Sequence, residues 1–142
     1  MIKKSLKIKE RIRARKFALQ ALYQYQFNPI NILKLQKQFI ENNPKIKSDW
    51  IFFCKLTSGV YSSYKELDKI INFHLLRPFN MVDPIELNLL RLGTFELKYC
   101  IENPYPVILN EYVKLSVIFA GTGANRFINS ILDKIAKSLR KN

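Results

Sequence analysis

Apolar residues recur every three or four positions along this chain, and no segment alternates apolar and polar residues as a half-buried strand would. In "ARKFALQALYQYQ", residues Ala14, Phe17, Ala18, Ala21, Leu22 and Tyr25 fall on one stripe at about 100° per residue. This predicts a first helix over about 10–27, stopped by Asn28-Pro29. A second, over 31–41, carries Leu35 and Phe39 at i,i+4 and stops at Asn42-Asn43-Pro44. A third starts at Ser48-Asp49, a capping pair, and carries Trp50, Phe53, Leu56, Val60, Tyr64, Leu67 and Ile71 on one face. Gly59 inside it marks either a close helix contact or a kink.

Arg77-Pro78 closes this first half. "DPIE" then opens a fourth helix, with Asp83 as N-cap, Pro84 at the first helical position and Glu86 at capping-box spacing. It runs to about Ile101. A fifth covers 106–119, Gly121-Thr122-Gly123 breaks it, and a last helix covers 124–139. The expectation is an all-α protein of two packed helical bundles forming one compact domain, with halves at 10–78 and 83–142. Residues 1–9 read as a basic arm whose composition suits disorder.

Charge sharpens this picture. The net charge is +13, and the Lys-, Ile- and Asn-rich composition is that of an AT-rich genome. The distribution says more. Residues 1–16 hold eight Lys/Arg against one Glu, residues 17–125 hold eleven against nine acids, and residues 126–142 hold five against one. Three of the seven arginines stand at 11, 13 and 15, a clustering that codon bias does not produce. No apolar run reaches the roughly 20 residues of a membrane span, and the first 16 residues lack a signal peptide's apolar stretch. A soluble, cytoplasmic protein is expected, with Cys54 and Cys100 as buried thiols in a reducing compartment.

Arg11, Arg13, Arg15 and Lys16 stand near the start of the first helix, opposed only by Glu10. Cations near a helix N-terminus are each unfavourable by about 0.3–1 kcal/mol. On the helical wheel Arg13 and Arg15 flank the apolar stripe on opposite sides, while Lys16 and Tyr23 share the outer face. Such a surface is either a solvated basic face or a polyanion site, where arginine forks take phosphates and an exposed aromatic takes a base. In the last helix Ile128, Ile131, Leu132, Ile135 and Leu139 make the core stripe. Phe127 and Lys134 lie on one edge of it and Asn129 on the other, so Phe127 is either a peripheral core residue or a second stacking position.

Catalytic chemistry is absent. His74, the only histidine, lies in the apolar "NFHLLRP" and reads as a packed or surface residue. The carboxylates are dispersed, and "GTGANRF" lacks both the P-loop lysine and the GxGxxG spacing, which leaves it a turn between helices. Asn110-Glu111 reads as a structural or partner contact. No metal-ligand spacing occurs, and neither an enzyme nor a cofactor is expected.

Four segments in order, "RARKFALQALYQYQ", "LLRLGTFEL", "ILNEYVKLS" and "NRFINSILDKIA", resemble the transcription antitermination factor NusB family over almost the whole chain. The resemblance implies an all-helical RNA-binding protein. It pairs with the small-subunit ribosomal protein that acts as NusE and binds boxA, a single-stranded element of ribosomal RNA leaders. Within an antitermination complex it promotes readthrough by RNA polymerase. By the same resemblance, Arg11, Arg13, Arg15, Lys16, Arg77, Phe127, Asn129 and Lys134 are RNA contacts. Tyr23, in the ALY triplet, and Glu86 are partner contacts. Ile12, which interrupts the arginine run, and Gly123, where relatives carry an acidic residue, depart from the pattern. The alternative is the NusB-like module of ribosomal RNA cytosine methyltransferases. A chain that starts with Met and ends soon after the last helix, with no room for a catalytic domain, argues for the free factor.

Overall fold

The computed structural model describes the backbone of residues 2–140 and the side chains of residues 6–140. Met1, from the basic arm, and Lys141-Asn142, from the basic tail, lie outside them. The elements are α1 (Ile2–Phe27), α2 (Ile32–Asn42), α3 (Trp50–His74), a 3₁₀ turn (Phe79–Met81), α4 (Pro84–Tyr99), α5 (Tyr105–Phe119) and α6 (Ala124–Leu139). Among the described residues there is no strand, so the all-α expectation holds. Two compact units divide at Ser62/Ser63, inside α3. The turn signals at 76–83 instead mark a bend within the second unit, because a helix can carry one unit's core on its first turns and the other's on its last.

α1 begins at Ile2, eight residues before the expected start. Residues 2–9 contain no Pro or Gly, and Leu, Lys and Ile propagate a helix that has already been nucleated. α2 starts on Asn31, whose Oδ1 accepts the amides of Leu33 (2.9 Å) and Lys34 (3.2 Å). Asp49 caps α3 by accepting the Phe52 amide at 2.9 Å. The core of this first unit is aromatic. Phe17 stacks on Trp50 (centroids 5.2 Å apart) and meets the edge of Phe39, and Phe53 packs on both Trp50 and Phe39. Gln36 enters this core because its amide donates to Thr57 Oγ1 at 2.8 Å and Ser58 Oγ at 2.7 Å. A buried amide without such partners would cost about 1–3 kcal/mol.

α4 organises the second unit and is buried from Glu86 through Leu97. Asp83 caps it as expected, accepting the Ile85 and Glu86 amides at 2.8 and 3.4 Å. α5 and α6 pack on it and on each other. The last turns of α3 are tied to α4 by Arg91, whose fork donates to both Asp68 oxygens at 2.7 Å, and by Glu66, which accepts from Lys98 and from Tyr99 Oη. Buried Glu96 accepts from Tyr112 Oη (2.7 Å) and Asn103 Nδ2 (3.0 Å). Arg140 donates to the Leu97 and Cys100 carbonyls at the C-terminal end of α4, where a cation is favoured. Ile128, Ile131, Leu132 and Ile135 are buried, as the stripe on α6 predicts. Gly121 and Gly123 take φ of +86° and +87° in the turn before α6, a conformation that favours glycine.

α4 and α6 approach closely at Gly93, where a Cβ would stand 2.8 Å from both methyls of fully buried Leu132. Overpacking of this kind costs about 1–3 kcal/mol, against a gain of about 1 kcal/mol in helix propensity. Gly93→Ala should therefore lower thermal stability in the wild-type background. It should raise stability in a Leu132→Ala background, where the contact is gone. The same sign in both backgrounds, by urea titration, would contradict the packing argument.

Candidate nucleic-acid interface

The three arginines of α1 part company. Arg11 and Arg15, one turn apart, both lie over the ring of Phe52, their guanidinium carbons 4.6 and 5.2 Å from its centroid. Arg11 also approaches Asp49 at 3.6 Å. Arg15 is only 4% exposed, which corrects the expectation that it flanks the core in reach of a ligand. The physical reason is a second buried stripe on α1, in which Arg15, Leu19 and Leu22 follow at i, i+4 and i+7. A wheel drawn through the alanines and Phe17 shows only the first.

Arg13 points the other way. It is exposed, and its Nη1 donates to the Lys47 carbonyl at 2.8 Å. Lys9, Arg13, Lys16 and Tyr23 are all exposed and follow heptad-like spacing, with half-buried Gln20 between the last two. Tyr23, 39% exposed, packs against the exposed ring of Phe27, 4.9 Å between centroids. The outer face of the first unit is thus a row of cations that ends in two aromatic rings. With α1 starting at Ile2, these cations also stand beyond the first helical turn, where the dipole penalty has faded.

In the second unit the guanidinium of Arg77 lies 3.7 Å from the centroid of Phe127. That distance is a full stacking contact, worth about 0.5–2 kcal/mol depending on desolvation. Arg77 Nη2 stands 4.0 Å from Glu86 Oε1. Glu86 is 8% exposed, so the expectation that it presents its carboxylate to a protein partner is corrected. On the first turn of α4, the carboxylate lies toward Arg77, the arginine that stands over Phe127. Phe127 itself is half-buried, while Asn129 and Lys134 on the same helix are exposed. Lys134 also acts on His74, whose pKa is held below its ordinary 6.5 chiefly by burial and then by that ammonium.

Among the described residues no cluster of His, Cys, Asp and Glu could hold a metal ion, and no helix is long and apolar enough to cross a membrane. Cys54 is half-buried, and burial raises its thiol above the usual range. Cys100 is fully buried. Sequence reasoning missed the pairing of Arg77 with Phe127, fifty residues apart in the chain, and the role of Phe52.

Arg15→Ala should uncover part of the Phe52 ring and lower stability by about 1–2 kcal/mol. Arg13→Ala, which loses one exposed hydrogen bond, should change it by less than about 1 kcal/mol. Equal melting temperatures for the two variants would contradict the division between them. His74 supplies a pH test. Its folded pKa lies below the unfolded one, so the stabilisation is complete above the unfolded value and drains away as pH falls from about 6.5 through the folded value. His74→Asn should flatten that limb of a stability–pH curve, and Lys134→Ala should shorten it from its acid end by bringing the folded value closer to the unfolded one.

Residues 12–137 match the model of the NusB family. The chain is 42% identical to the transcription antitermination protein NusB of Marinobacter nauticus, over 92% of this chain and 83% of that protein. It is 40% identical to the NusB of Pseudoalteromonas translucida, over 92% and 96%. In structure it resembles the NusB of T. maritima, with a TM-score of 0.78, 26% identity and coverage of 89% and 90%. A chain from a crystal structure of the antitermination factors NusB and NusE in complex with dsRNA matches with a TM-score of 0.82, 27% identity and coverage of 92% and 98%. With a family model spanning most of its length and relatives at two-fifths identity, this chain belongs to the NusB family of transcription antitermination proteins.

Proposed function

We propose that this chain acts in the cytoplasm as the RNA-binding subunit of an antitermination complex with RNA polymerase. In this reading it binds boxA-type single-stranded RNA of ribosomal RNA leaders and pairs with the small-subunit ribosomal protein acting as NusE. The observation that carries the RNA reading is the stack of Arg77 on Phe127, with Lys134 exposed on the same edge of α6. A guanidinium already laid flat on an aromatic ring offers its outer face to an unpaired base, and stacking on such platforms is worth about 1–3 kcal/mol per base. Glu86 serves this site from within, by orienting Arg77. On the first unit, Arg13 and Lys16 contact phosphates directly, Arg11 does so from its place on Phe52, and Arg15 supports the helix. The neighbouring NusB–NusE assembly, solved with dsRNA, supports NusE and RNA as partner classes, and the single-stranded form is the finer part of the proposal. The exposed Tyr23–Phe27 pair is the contact assigned to the ribosomal protein.

Arg77→Lys separates stacking from charge. It keeps the cation and loses the plane, so affinity for a single-stranded leader RNA should fall about 5-fold or more while the slope of log affinity against log salt stays within error. A variant that binds as tightly as the unaltered chain would refute the platform. A duplex of the same sequence should bind less tightly than the single strand, because its bases are already stacked on each other.

A further inference from the structure

The loop between α2 and α3, "NPKIKSD", is bound along α1 by three contacts. The Asp49 amide donates to the Glu10 carbonyl at 3.1 Å, Arg13 Nη1 donates to the Lys47 carbonyl at 2.8 Å, and Arg11 approaches Asp49 at 3.6 Å. The loop's one acid is therefore occupied twice, by Arg11 and by the cap of α3. Its two lysines are not. Lys45 and Lys47 are exposed, and neither is paired with a carboxylate among the described residues.

A loop that keeps two unpaired cations, and is fastened by an arginine to the helix that carries Lys9, Arg13 and Lys16, concentrates positive potential on one face. Mutual repulsion disfavours that arrangement unless a polyanion lies across it. From this we infer that the α2–α3 loop is a second RNA-contacting edge of the first unit, in which Lys45 and Lys47 bind phosphates of the strand and Arg13 sets their position. The inference rests on the RNA-binding reading above and extends it to a segment outside the family-like motifs. Arg13 gains a double duty: one nitrogen of its fork holds the loop, and the rest of the guanidinium faces the ligand.

Lys45 and Lys47 make no contact whose loss would unfold the chain, so the variants are expected to fold. Lys45→Ala/Lys47→Ala is compared with the unaltered chain for binding to a single-stranded RNA from the ribosomal RNA leader and to an unrelated single strand of equal length. Two lost phosphate contacts lower the salt slope by about 1.4, so the ratio of unaltered to variant affinity should shrink about sevenfold between 50 and 200 mM salt. Both RNAs should be weakened alike, because phosphates carry no sequence. Lys45→Arg/Lys47→Arg should restore binding. When Arg13→Ala is added to the double variant, the loss should be smaller than the sum of the separate losses, because the loop no longer carries the lysines that Arg13 positions. If the unaltered chain binds the leader RNA and the alanine variant shows the same affinity and slope, the inference fails alone. If the unaltered chain binds neither RNA, the RNA-binding reading fails and takes this inference with it.

Discussion

The contact on which each unit's candidate surface depends is an arginine guanidinium lying on a phenylalanine ring. In the first, Arg11 and Arg15 share Phe52. In the second, Arg77 covers Phe127. A guanidinium is weakly hydrated on its faces and strongly hydrated at its edges, so laying a face on an aromatic ring costs little desolvation and leaves the N–H groups directed outward. Lysine cannot do this, since its ammonium is hydrated on all sides. This gives arginine in a lysine-rich chain a structural reason to stand at these positions. The same contact has different consequences by depth: buried Arg15 becomes part of the packing, while half-exposed Arg77 remains a platform.

Rigidity behind the platform comes from α4. Its buried length carries Glu86 at one end, aimed at Arg77, and Glu96 near the other, satisfied by Tyr112 and Asn103. Arg140 closes its last carbonyls. Buried polar groups at both ends stabilise little in net terms, but each has a fixed partner. The helix cannot rotate or slide without leaving a buried charge unpaired, and that penalty is several kcal/mol. At Gly93 the absence of a side chain lets Leu132 of α6 approach α4 closely.

The helices were legible because their ends are written in short-range chemistry: Asn31, Asp49 and Asp83 cap as their side chains allow, and proline or glycine stops most of the rest. The core stripe of α6 was legible for a related reason, since that helix is buried on one side only. α1 was half legible. A helix buried on two faces has two stripes, and the second includes an arginine, a residue that hydrophobic periodicity counts as solvent. Glu86 was misread by the same logic, because a first-turn carboxylate satisfies the cap pattern whether it faces water or a buried arginine. The Arg77–Phe127 stack, Gln36 in its polar pocket and the Lys47 anchor join residues far apart in sequence, and no local pattern encodes such meetings.

The crowding of cations on α1 also changes meaning once the helix is seen to begin at Ile2. Positive charge in the first turn would fight the helix dipole, but Arg11 through Lys16 lie in the third turn and beyond, where that field is weak. What remains is repulsion between neighbours at i, i+3 and i+4. One flank resolves it internally, through Phe52 and Asp49. The other, Lys9, Arg13 and Lys16 with Lys45 and Lys47 beside them, shows no internal anion among the described residues. The fold thus offsets cations on one side of the helix and leaves them unopposed on the other, with Arg11 on the offset side but still half-exposed. The unopposed cations gain by releasing counterions when a phosphate backbone arrives. The basic composition of the chain is therefore less informative than this partition, in which Arg15 turns into the packing, Arg11 lies on Phe52 near Asp49 and Arg13 stays exposed.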